Sequence, residues 1–160
     1  MGNSLEPFAV PHFTLAEFTR SDVAARRGID NTLPEPLVPA AMATLEMLER
    51  IRAYLSKLAG HEVPLLLSSG YRSPALNLAV GSSSTSDHPK AAAADWTAPG
   101  FGTPLQICQA LAPQVGVLGI GQLIHEFGQW VHCSTLMPAK AANRIITITR
   151  AGTRVGIQEV

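Results

Sequence analysis

From Pro39 to Leu58 the chain carries one apolar stripe at helical spacing. Leu45, Leu48, Ile51, Leu55 and Leu58 recur at intervals of three and four residues, and Gly60 ends the run. A helix of this length with one apolar face has to be covered by another layer, so this segment constrains the fold more than any other. It is expected to pack on a sheet and to carry no chemistry. Ahead of it, Thr14-Leu-Ala-Glu17 has the pattern of a capping box that opens a short helix, and Ser21 suits the cap of a second one stopping near Gly28. Residues 30–39 form a proline-rich loop.

Beyond the long helix, Val63–Ser68 reads as a buried strand, and Gly70-Tyr-Arg-Ser-Pro74 turns into a short helix over 74–79. The loop GSSSTS spans 81–86, and Ala92–Thr97 is a strand in spite of its alanines. Thr103 and Pro104 form a good N-cap and N1 pair for a helix to about residue 112. Gln122–Phe127 and Trp130–Ser134 read as a tight hairpin around Gly128. Arg144–Arg150 is a strand that Ala151-Gly152 turns back into a last one, 153–158. Helices come first and strands dominate later, which predicts an α+β fold with a small antiparallel sheet packed with helices.

The length of 160 residues fits a single domain over 1–160 with a core of its own. Twelve basic residues balance twelve acidic ones, which gives no reason to expect nucleic acid or an anionic membrane as partner. Cys108 and Cys133 are too few for a disulfide framework or a structural metal cluster, and read as two buried free thiols. No apolar run approaches the ~20 residues of a membrane span. The start MGNSLEPFAVPHF shows neither the basic start nor the apolar block of a signal peptide, and Glu6 stands where a myristoylation pattern has Ser or Thr. The expected location is therefore cytoplasmic until release, with the chain a monomer.

The chemistry lies in the second half. Of the five histidines, His88, His125 and His132 fall there, and the only acids between residues 80 and 158 are Asp87, Asp95 and Glu126. Asp95 sits in the apolar run AAAADW, where a lone carboxylate is costly unless paired or metal-bound. His132, in WVHCS, is likewise a polar residue in an apolar setting. A catalytic zinc takes three protein ligands from His, Asp or Glu and keeps one position open. Spacing alone does not decide for a metal. A histidine in a strand is more often a hydrogen-bonded structural residue, Arg72 is available as a partner for Asp95, and H-x6-D is not specific.

The segment SGYRSPALNLAVGSSSTSDHPKAAAADW, residues 69–96, together with Trp130-Val131-His132 downstream, resembles metallopeptidase family M15, the zinc D-Ala-D-Ala carboxypeptidases and related cell-wall endopeptidases. That family shows S-G-Y-R-S, a Gly/Ser loop, S-x-H-x-x-G-x-A-x-D and then a strand ending W-V-H. The opening PHFTLAEF and the closing strand pair look like its phage and prophage branch, so the resemblance covers nearly the whole chain. It implies a hedgehog/DD-peptidase-like fold, a zinc cofactor held by His88, Asp95 and His132, and hydrolysis of peptidoglycan stem peptides. Arg72 matches an arginine that faces the developing oxyanion and can also hold a substrate carboxylate. Tyr71 and Trp130 are further expected substrate contacts.

The general base has two candidates. Several family members carry an acid three residues before the third ligand, where this chain has Gln129, but LIHEFGQWVH matches the phage-branch pattern LIxEFGxWVH. A three-residue hairpin loop, 127–129, puts Glu126 on the side of His132. A two-residue loop, 128–129, puts His125 there instead. Glu126 is favoured as the acid available, with Asp87 next after His125. Two further departures are Ala91, where the family has a glycine that tolerates positive φ, and Gly121, where relatives often have Asp. These departures leave a second reading, a catalytically weak or inactive zinc-binding virion module of the same fold.

Overall fold

The computed structural model describes residues 10–160; the start from which the absence of a signal was read, residues 1–9, lies outside the described residues. The stripe at 39–58 forms the long helix α3, Val38–Ala59, closed by Gly60 in the left-handed region. It buries Leu45, Met47, Leu48, Ile51 and Leu55, whereas Leu58 at the end of the stripe is 53% exposed. Before it come α1, Leu15–Thr19, and α2, Asp22–Arg27, with Thr14 and Ser21 each accepting a backbone N–H of the first turn. Helix α4, Pro74–Ala79, follows the GYRS segment. Helix α5, Pro104–Leu111, carries a full capping box from Thr103 and Gln106. A further turn, α6, Val115–Leu118, was not expected from the sequence.

Among the described residues six strands form one sheet: β1 Leu66–Ser69, β2 Ala93–Thr97, β3 Gln122–Glu126, β4 Trp130–Ser134, β5 Ile145–Thr149 and β6 Gly152–Val155, in the order β1-β2-β4-β3-β5-β6. The α+β class holds. The sheet is mixed rather than purely antiparallel, because β5 runs parallel to β3. The reason is topological. β2 and β3 occupy both edges of β4, and the short connection over 135–144 carries the chain past β3 to its far side, running opposite to β4 and so parallel to β3. The first strand is also displaced: Val63 and Leu65 are buried in irregular chain, while β1 itself is a half-exposed edge strand.

Alternation sorts the central strands into two faces. Ala94, Trp96, Leu123, Val131 and Cys133 join α3 and α5 in the core. Asp95, Ile124, Glu126, His132 and Ser134 therefore point the other way. Both cysteines are free and buried, and burial pushes the Cys133 thiol up to about 12 and raises that of Cys108 as well, so neither is a ready nucleophile. Among the described residues no helix is long and apolar enough to cross a membrane.

Candidate metal centre and active-site cleft

On the face away from the core, β2 and β4 pair with Asp95 directly opposite His132. Directly opposite residues of an antiparallel pair have neighbouring side chains, and His132 Nδ1 lies 2.8 Å from Asp95 Oδ1. His88 reaches the same carboxylate from a short 3-10 turn, His88–Lys90, with Nε2 3.3 Å from Asp95 Oδ2. All three residues are buried, and one candidate ligand atom from each lies within 4.8 Å of the others.

The donors fit a cation. His88 Nδ1 donates to the Gly70 carbonyl at 2.6 Å, so a neutral His88 presents the lone pair of Nε2, not an N–H, to Asp95. Burial lowers the His88 pKa and so favours that neutral form; Nε2 is buried without a hydrogen-bond partner. A lone pair facing a carboxylate at 3.3 Å is repulsive unless a positive ion lies between them. Burial alone would raise Asp95, but the nearby His88 and the hydrogen bond from His132 outweigh it and hold the group well below the usual carboxylate range. His132 is raised instead, because the Asp95 hydrogen bond overcomes burial. Arg72 does not take the role of Asp95's partner that the sequence left open; His132 hydrogen-bonds the carboxylate, and His88 faces its other oxygen.

The loop that carries His88 is pinned from two sides, by β4 and by α3. Asp87 accepts from Ser134 Oγ on β4 at 2.7 Å and lies 3.3 Å from Lys90 Nζ, so both of its carboxylate oxygens are engaged. Thr44 of α3 donates to the Ala91 carbonyl at 2.8 Å. Ala91 itself adopts φ 57°, so the left-handed backbone expected of a glycine is kept with an alanine, at a strain of about 1–2 kcal/mol. Gly70 beside the first ligand has a different cause: a Cβ there would lie 2.3 Å from the Phe18 carbonyl oxygen. Gly121 is also explained by contact, since a Cβ would meet the Leu136 backbone at 2.4 Å, leaving no room for the Asp of relatives.

The ligand group opens into a cleft of about 250 Å³ that also exposes Arg72, Glu126, Gln122 and three isoleucines, Ile124, Ile146 and Ile148. Its other wall is the hydroxyl-rich loop with Ser82, Ser83 and Thr85. The hairpin has the three-residue loop: Glu126 pairs with Trp130 and Ile124 with His132. Glu126 thus shares the cleft with His132, and burial raises its pKa. His125 faces the opposite side, where its Nδ1 donates to the Gln158 carbonyl. Gln129 is exposed in the hairpin loop and lies outside this cleft.

Arg72 is half-buried, and its Nε has no hydrogen-bond partner among the described residues. Burial lowers its pKa, opposed by Asp95 and Glu126, but a guanidinium stays charged at any ordinary pH. The residue that fixes it was missed in the sequence. Asn31, in the proline-rich loop, donates to the Tyr71 carbonyl at 3.0 Å and accepts from the Ser73 N–H at 2.7 Å, clamping the backbone on both sides of Arg72. The run DNTLPEP marks a loop but says nothing of a partner 40 residues away. Two expected substrate contacts are placed elsewhere. Tyr71 is buried in the core cluster, and Trp130 lines a separate groove with Phe127, Gln129, Thr149 and Arg150. Tyr71 packs in the core, and its backbone N–H bonds the Phe18 carbonyl, while the indole N–H of Trp130 reaches Glu126 from the neighbouring groove.

A His-Asp-His group, two of its members on the sheet and one on a short turn, beside a cleft with an arginine and a glutamate defines a metallopeptidase-like centre. The chain belongs to the Peptidase M15 family, whose model matches residues 11–134, from the segment before α1 to the end of β4 and so through all three candidate ligands. No curated protein matches the chain.

Proposed function

We propose that this chain is a zinc-dependent peptidase acting on the stem peptides of bacterial peptidoglycan, as a D-Ala-D-Ala carboxypeptidase or an L-Ala-D-Glu endopeptidase. The observation that carries this reading is the convergence of His88, Asp95 and His132 around an unpartnered imidazole lone pair, in the cleft that also holds Glu126 and Arg72. His88, Asp95 and His132 are the residues that would hold zinc, which supplies a Lewis acid with an open coordination position.

The protein's own groups divide the remaining work. Glu126 takes a proton from the attacking water and later returns it to the leaving amine; a carboxylate raised by burial is a better base than an exposed one. Arg72 meets the negative charge that builds on the carbonyl oxygen, or holds a terminal carboxylate of the substrate. The isoleucine wall suits small apolar side chains, and the serine-rich wall offers hydrogen bonds to the peptide backbone. Two observations favour an active enzyme over an inactive virion module: Ala91 keeps the left-handed backbone, and Glu126, rather than Gln129, lines the cleft. The phage-like opening and closing segments favour a phage or prophage lysis protein.

The test is release of D-alanine or of stem-peptide fragments from purified bacterial peptidoglycan by purified protein. Release should stop with a chelator and return with added zinc. Equal release in chelator, or release of neither product by zinc-loaded protein, would overturn the proposal.

A further inference from the structure

We infer that Trp130 is a positioning residue that holds Glu126 in its working orientation, rather than a contact for substrate; this rests on the reading of Glu126 as the base. The two residues sit directly opposite each other at the end of the hairpin, on the same face. The Trp130 indole N–H donates to Glu126 Oε2, and it is the only hydrogen bond to this carboxylate among the described residues. Oε1 is thereby left as the free acceptor of a group that lines the cleft. An indole N–H is a neutral donor that cannot accept a proton, so it fixes the carboxylate without neutralising it as an arginine would and without competing for its proton.

The indole is itself held. Phe127 packs edge-to-face against it, with ring centroids 5.5 Å apart at 62°. Phe127 does so from φ 54°, a left-handed conformation unusual for a bulky residue, while its N–H bonds the Ile148 carbonyl at 2.8 Å. The ring of Trp130 faces the separate groove, so its reach to the cleft is through the N–H alone. Trp130, expected from the sequence to contact substrate, thus acts one residue removed from the chemistry.

The test is Trp130→Phe, alone and combined with Glu126→Gln, assayed with zinc-loaded protein on a stem-peptide fragment. Alone, it should lower kcat roughly tenfold or more, with KM and zinc content unchanged, as loss of a hydrogen bond to a charged group implies. In the Glu126→Gln background it should lower kcat no further. An equal fall in both backgrounds, or none in either, overturns the inference; full activity of Glu126→Gln alone overturns the base assignment instead. A second readout needs no turnover and no metal. The indole N–H proton resonance of Trp130, assigned by its loss in Trp130→Phe, should move upfield in Glu126→Gln as the acceptor loses its charge. An unmoved resonance contradicts the contact. If Trp130→Phe fails to fold, the isosteric benzothienylalanine at 130 removes only the donor and gives the same comparison.

Discussion

Glu126→Gln is expected to lower turnover by about 10²–10⁴-fold while the bound metal stays in place. The substitution keeps shape and a hydrogen-bond acceptor for Trp130 but removes the group able to take a proton. None of the three candidate ligands is touched, so metal content should equal that of the parent. Asp87 is no substitute, because both its oxygens are engaged by Ser134 and Lys90. His125→Ala is the matched control. That side chain is 2% exposed on the other face of the sheet, and its loss should cost stability rather than chemistry. Steady-state kinetics on a stem-peptide fragment, with metal analysis of each variant, decides the matter. An active Glu126→Gln beside a folded but dead His125→Ala would show the base to be assigned wrongly.

Arg72→Lys should cost roughly 10²-fold or more in kcat/KM, by analogy with oxyanion-hole donors. Lysine keeps the charge but loses the planar fork, and its point charge cannot span a carbonyl oxygen and a carboxylate together. Asn31 clamps the backbone on both sides of residue 72, so the variant side chain still starts from the same place. The loss should therefore reflect the head group and not a displaced loop. Part of it should appear in KM if the arginine also holds a terminal carboxylate. Parent-like kinetics in Arg72→Lys would remove the arginine from the mechanism.

Much of the fold could be read along the chain because the signals were local. The stripe in α3, the caps at Thr14, Ser21 and Thr103, and the stop at Gly60 each depend on a few neighbouring residues. Two of the ligand candidates stand out for a related reason: a carboxylate in AAAADW and an imidazole in WVHCS contradict their apolar settings unless something pairs with them, whereas His88 and the set as a metal site rest on the family resemblance. What stayed hidden depends on register and distance. One residue of hairpin loop decides whether Glu126 or His125 faces His132, and a slip of one flips every side chain of the strand. The parallel pairing of β3 and β5 follows from which sheet edges are already taken, which no local pattern records. Ala91 shows the limit of a residue-type argument, since an alanine occupies the backbone region that a glycine was expected to require. Gly121 reads as a mere departure until the chain after β4 is seen lying against it.

The central claim is that His88, Asp95 and His132 form one zinc site. Calorimetric titration of zinc into chelator-stripped protein tests it most directly, with the His88→Ala, Asp95→Ala, His132→Ala triple variant alongside. One tight site per chain in the parent, and none in a folded triple variant, is the predicted result. Near-zero uptake by the parent, or full retention of zinc by the triple variant, would contradict it.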